Sequence, residues 1–175
     1  MRRRATVWFA SFAILLTACA SREASGARTA PAAAGAAPAV AAQLQFTGTT
    51  LNGEPFDGAS LAGKDAVLWF WTPWCPKCAR EAKHVAAAHE AHGTQVRIIG
   101  VPAYGTVPEM QKFTTNFKVA ALTHVADPEG KVWRKFLVTE QPAYAFIDQS
   151  GAVEIVRGEI GPEQFDAKLK HLLAT

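Results

Sequence analysis

The 175-residue sequence has no internal repeat, no second Cys-x-x-Cys beside Cys75 and Cys78, and no large net charge. Its N-terminal apolar run, Ala5 to Leu16, is too short to span a membrane comfortably. Each absence excludes something. Two cysteines fall short of the four ligands that a structural zinc site takes. Setting aside Arg2, Arg3 and Arg4 brings the formal charge from +3 to 3 − 3 = 0, so the basic balance belongs to the N-terminus and not to a nucleic-acid-binding surface. What remains, with 49% hydrophobic and 19% charged residues, is an ordinary globular composition with room for one domain.

The basic head followed by a short apolar run reads as an export signal. It ends in Leu16-Thr17-Ala18-Cys19, which resembles the bacterial lipobox, where the cysteine is diacylated and becomes the first mature residue. The competing reading is A-x-A cleavage using Ala18 and Ala20, which discards Cys19. The expectation is a lipoprotein-type signal peptide at 1–18 with Cys19 lipidated, leaving Cys75 and Cys78 as the remaining thiols. Residues 19–42 are dominated by Ala, Gly, Pro and Ser, and Pro31, Gly35 and Pro38 interrupt any long helix. They are expected to form a mobile tether, with the folded domain at 43–175.

Within that domain, Asn52-Gly53 marks the turn of an N-terminal hairpin at a sheet edge. Ala66 to Trp71 is a continuous apolar run, as for a central strand covered on both faces. A helix is expected from Pro76 to about His92, closed by Gly93, then a strand in "QVRIIGV" and an amphipathic helix from about Pro108 to Phe117. After the short run "ALTHVAD", Val132, Trp133, Phe136 and Leu137 are expected on one face of a brief helix. "AYAFID" and "AVEIVRG" form a hairpin, and Pro162 to Leu173 a last helix. The order predicts an α/β, thioredoxin-like fold: a mixed central sheet with helices on both faces and an N-terminal β-hairpin.

Three uses of the cysteine pair compete. For zinc, no second pair exists, and His84 and His89 share a helix with the cysteines, where rotation forbids a common site. A structural role is weak, because closing a four-residue loop removes only about 2 kcal/mol of unfolded-chain entropy. A redox role fits the neighbours. Pro76 suits the first helical position, which puts Cys75 at the N-cap, where free N–H groups and the helix dipole favour a thiolate. Cys75 is therefore the expected exposed nucleophile and Cys78 the resolving thiol. Lys77 either adds charge that stabilises the thiolate or is a solvated lysine at the helix start.

"FWTPWCPKC" resembles the W-C-P-x-C active site of extracytoplasmic thioredoxin-like proteins of the DsbE/TlpA group, especially actinobacterial secreted and lipoprotein forms, and "DPEGKVWRKFLVTEQPAYAFIDQSG" matches the group's downstream pattern. The resemblance covers about residues 43 to 175. It implies a thiol:disulfide oxidoreductase with no cofactor or metal. Its substrates would be exported proteins carrying thiols or disulfides, with a membrane redox partner not identified by the sequence. It also implies that Pro142, preceded by Gln141, is a cis-proline facing the cysteines, with backbone groups free for an extended substrate. Trp74 would cover the disulfide and, with Pro76 and Lys77, contact substrate. Glu81, three residues after Cys78, would exchange the resolving thiol's proton if partly buried. The sequence departs from cytoplasmic thioredoxins in carrying Trp69 where they have a buried aspartate.

The resemblance and the Pro76-Lys77 pair favour disulfide formation at the extracytoplasmic face of the membrane, with reduction, as in cytochrome c maturation, the alternative. A peroxiredoxin has Thr72 in its favour but Leu68 where its motif needs proline. A copper chaperone would need the thiols and a distant histidine such as His124, with three residues between the cysteines. His84, His89, His92 and His171 are expected on solvated helix faces, and Trp133, Phe136 and Phe146 in the core.

Overall fold

The computed structural model describes residues 41–174. The expected signal peptide, Cys19 and all but the last two residues of the expected tether lie outside the described residues. Leu44 is already fully buried, so the core begins close to the expected boundary.

Seven strands form one mixed sheet. In chain order they are β1 (Thr47–Thr50), β2 (Pro55–Asp57), β3 (Ala66–Trp71), β4 (Arg97–Pro102), β5 (Thr123–Ala126), β6 (Ala143–Ile147) and β7 (Val153–Arg157). The helices are α1 (Pro76–His92), α2 (Val107–Asn116), α3 (Lys131–Lys135) and α4 (Pro162–Leu172). Across the sheet the order is β2-β1-β5-β4-β3-β6-β7. The three inner strands β3, β4 and β5 are parallel, while β6 and β7 on one side and the β1–β2 hairpin on the other are antiparallel. The expected thioredoxin-like architecture and edge hairpin are both present.

The apolar run 66–71 is explained by its position: all six residues of β3 are buried. Successive side chains alternate faces. Val67, Trp69 and Trp71 join the core under α1, α2 and α4, with Cys78, Val85, Met110, Phe113, Phe165 and Leu169. Ala66, Leu68 and Phe70 join the opposite core, with Leu61, Val132, Trp133 and Phe136 around α3. Trp71 stacks on Phe113 with ring centroids 4.2 Å apart, and Phe70 meets Trp133 edge-on at 5.8 Å. Truncating such a fully buried tryptophan costs about 3–5 kcal/mol, so β3 is held stiffly from both sides just where it feeds the cysteine turn.

Two expectations need correction. Leu137 does not share the buried face of α3: it follows the helix in a left-handed turn (φ 54°) and is 73% exposed. Its carbonyl accepts from Arg157 Nη2 at 3.0 Å. Gly93 closes α1 as expected, in right-handed geometry (φ −61°) with its N–H donating to His89 O at 2.8 Å. His84 is half-buried against Phe165, with ring centroids 5.4 Å apart, and burial lowers its pKa. The α1 face toward α4 reaches one residue further round than apolar spacing alone indicates.

Candidate active site

The site lies where β3 ends. The antiparallel register pairs Phe70 with Ala143, so continuing it by one residue sets Pro142 beside Trp71, four residues before Cys75. Two segments far apart in sequence therefore meet at one sheet end.

Cys75 is the N-cap of α1 in an extended conformation, with Pro76 at the first helical position. Its Sγ accepts the Cys78 N–H at 3.0 Å, taking one of the four donors that a helix start leaves unpaired. That contact favours negative charge on Cys75 sulfur over Cys78 sulfur, adding to the helix dipole. The two cysteines form a disulfide, with Cα atoms 5.3 Å apart. Cys75 is only 5% exposed in this oxidised form and Cys78 is fully buried. The expected order of access holds, but the nucleophile is nearly covered rather than open. Pro76 and Lys77 are exposed at the helix start, and the Lys77 charge is felt by Glu159.

Glu81 follows one turn after Cys78 and is 1% exposed. Its Oε1 accepts the Ile160 N–H at 2.8 Å. Oε2, the Tyr144 hydroxyl and Trp69 Nε1 make no hydrogen bond of ordinary geometry, yet the three share one enclosure closely enough that the tyrosine and tryptophan favour the carboxylate. Desolvation outweighs all of these and raises the Glu81 pKa to about 7. The same enclosure raises the Tyr144 pKa, by desolvation first and then by the Glu81 charge. Trp69, which replaces the strand aspartate of cytoplasmic thioredoxins, thus turns its N–H toward a carboxylate carried by the helix instead.

The Gln141–Pro142 peptide is cis, as expected. Pro142 is buried and Gln141 half-buried. The Pro142 carbonyl accepts the Gly158 N–H at 2.9 Å, so this one acceptor is already taken.

Trp74, the residue before Cys75, is 61% exposed, and its Nε1–H donates to Tyr104 O at 3.0 Å. With Pro73, Phe113 and Phe117 it lines a cleft toward α2. Tyr104 has a left-handed backbone (φ 53°) and places its ring edge-on to Trp133 at 5.2 Å. Trp133 is fixed by its Nε1–H on Val101 O at 2.8 Å and by Asp127, whose Oδ2 accepts the Trp133 N–H at 3.0 Å. Sequence reasoning assigned Tyr104 nothing, because a left-handed tyrosine carries no local signal.

His124 is buried on β5, its Nε2 on Val119 O at 2.8 Å, and desolvation lowers its pKa to about 4. Its ring meets Trp71 edge-on, not the sulfurs. No group of three or more His, Cys, Asp or Glu able to hold a metal occurs among the described residues.

The model of the AhpC/TSA family matches residues 36–156, more than half of the chain. The chain belongs to the AhpC/TSA family. The soluble secreted antigen MPT53 of Mycobacterium tuberculosis is 45% identical over 117 residues, a match covering 65% of this chain and 65% of MPT53, just under two thirds of that relative's length. MTB DsbF, solved in mixed oxidized and reduced forms, is 46% identical with a TM-score of 0.75, covering 77% of this chain and 99% of that one. A secreted Mycobacterium tuberculosis disulfide oxidoreductase homologous to E. coli DsbE is 38% identical with a TM-score of 0.71, covering 74% and 98%. The resemblance to DsbE-like proteins and the thioredoxin-like fold are both borne out.

Proposed function

We propose that this AhpC/TSA-family domain is an extracytoplasmic thiol:disulfide oxidoreductase that forms disulfides in exported proteins. One observation carries the reading: a Cys75–Cys78 disulfide at the start of α1, with Cys75 sulfur already accepting a helix N–H. A substrate thiolate attacks Cys75 Sγ, the Cys75–Cys78 bond breaks, and Cys78 leaves as a thiolate. Glu81, near half-protonated at neutral pH, gives that thiolate its proton. A second substrate thiolate then attacks the substrate sulfur of the mixed disulfide and expels Cys75 as a thiolate, a good leaving group at a helix N-terminus. A membrane redox partner restores the disulfide.

The same steps run backwards in a reductase, and the reduction potential separates the two. Equilibration of the purified protein with glutathione is expected to give a potential well above the thioredoxin value of about −270 mV. A value at the thioredoxin level overturns the oxidase reading in favour of reduction.

The reading places the mature protein on the outer face of the cell membrane, with residues 1–18 removed, Cys19 lipidated and residues 19–42 as the tether. The secreted character of MPT53 supports export. Mass spectrometry of the mature N-terminus checks this: a diacylated Cys19 is expected, and a mature chain starting at Ser21 overturns the anchor.

A further inference from the structure

Between β7 and α4 runs a three-residue strap, Gly158-Glu159-Ile160, that touches both halves of the site. The Gly158 N–H donates to Pro142 O at 2.9 Å, and the Ile160 N–H donates to Glu81 Oε1 at 2.8 Å. Gly158 takes φ 83°, a left-handed turn that lets its own donor and that of Ile160 reach different targets. Between them, Glu159 receives Arg80 in a two-point contact, Nε to Oε1 at 2.9 Å and Nη2 to Oε2 at 2.8 Å. Arg80 is the residue before Glu81 on α1. The strap is therefore pinned to the cis-proline loop at one end, to the buried carboxyl at the other, and to the outside of α1 in the middle.

We propose that Arg80 and Glu159 are positioning residues for the redox pair: their ion pair fastens the strap so that the Ile160 N–H stays on Glu81 and the acid is tied to the cis-proline loop. An ordinary surface ion pair contributes little, but this one has the planar two-point geometry in which an arginine fixes its partner's orientation. Both side chains are partly exposed, at 59% and 34%, so either can be replaced without opening the core. The inference rests on the reading that Glu81 protonates the departing Cys78 thiolate, passing its proton to sulfur and remaining as a carboxylate.

Charge and tether make opposite forecasts for one variant. Glu81 is acted on by Arg80 on its own helix, Tyr144 on β6, Trp69 on β3 and Glu159 on the strap, while Lys77 and His84 act on Glu159, and Asp166 of α4 on His84. Removing the negative charge of Glu159 by Glu159→Gln lowers the proton affinity of Glu81 if charge alone acts. Loosening the strap withdraws the Ile160 N–H from the carboxylate and raises that affinity instead. Arg80→Gln raises it on both counts.

The test is a pH titration of the Glu81 side-chain carboxyl by 13C NMR in the oxidised protein, with Glu81→Gln assigning the signal. Both Glu159→Gln and Arg80→Gln are expected to raise proton affinity, by up to about tenfold, the size of one lost charge-assisted hydrogen bond. A Glu159→Gln protein whose Glu81 titrates lower than wild type, or unchanged, overturns the strap. The underlying proton role is read separately, in the pH profile of Cys78 attack on a mixed disulfide at Cys75. If Glu81→Gln leaves that profile unchanged, the proton role fails, and with it the catalytic meaning of the strap, whatever the carboxyl titration shows.

Discussion

Tyr104 holds the indole of Trp74, the residue before Cys75: the indole N–H donates to the Tyr104 carbonyl at 3.0 Å, 30 residues along the chain. The bond is exposed, so its loss costs at most about 1.5 kcal/mol. Trp74→Phe is therefore expected to unfold near the wild-type urea midpoint while losing turnover of a protein substrate more than of a small disulfide such as oxidised glutathione. Equal loss for both would show that the indole acts on the sulfurs and not on the substrate chain.

The roles of the two sulfurs predict different trapped species. Cys78→Ser leaves Cys75 without a resolving thiol, so mixed disulfides with substrate should accumulate on non-reducing gels. Cys75→Ser should accumulate none, since Cys78 is fully buried. Adducts of equal yield in both variants would remove the assignment of Cys75 as nucleophile.

Two buried groups with opposite shifts should leave stability nearly flat in mildly acid solution. Desolvation raises Glu81 from its ordinary 4.5 to about 7, so its contribution to folding is present below pH 4.5 and is lost as the pH climbs through 7. Desolvation lowers His124 from 6.5 to about 4, so its contribution is present above pH 6.5 and is lost as the pH falls toward 4. Each amounts to about 3 kcal/mol, and between pH 4.5 and 6.5 they cancel. Glu81→Gln removes one side of the balance. Urea unfolding of that variant should show stability rising by about 3 kcal/mol from pH 4 to 6.5, and above pH 7 it should exceed wild type. A flat profile for the variant would contradict the burial of His124 as a neutral ring.

Gly100 lies between Trp69 on β3 and His124 on β5 in the parallel register. A Cβ there would fall 2.8 Å from Trp71 Nε1 and well inside contact distance of His124 Nδ1. Gly100→Ala should cost about 3 kcal/mol or more by overpacking and displace Trp71 from Phe113. Near-UV circular dichroism and the urea midpoint measure both effects, and an unchanged midpoint would mean that His124 swings aside freely.

Much of this was legible in the sequence because it is written in short-range patterns. The all-apolar run of β3, Pro76 after Cys75 and Asn52-Gly53 each fix a local geometry from adjacent residues, and α1 spans Pro76–His92 as its composition and its closing glycine indicate. Glu81 was found from the family resemblance, its place on the Cys78 face of one helix agreeing with it. The strap was not, because Arg80 and Glu159 are 79 residues apart and only the closing of β7 onto β6 brings them together. Leu137 and Tyr104 escaped for a different reason: apolar spacing assumes that the helix continues, whereas a left-handed residue sends the side chain elsewhere. His84 and His124 were misjudged or left open because a histidine's burial depends on the element packed above it, which periodicity does not report.

The pairing of β3 with β6 also bears on how the site comes into being. Cys78 and Pro142 are separated by 142 − 78 = 64 residues, and a chain is synthesised from its N-terminus onward. The cysteine turn is therefore made well before the loop that faces it. Until β6 adds to the sheet, an incomplete chain presents two cysteines with no Pro142 loop opposite and no Ile160 N–H on Glu81. The complete site therefore depends on the last third of the polypeptide: a chain that has not paired β6 with β3 carries both cysteines but not the loop that gives them selectivity.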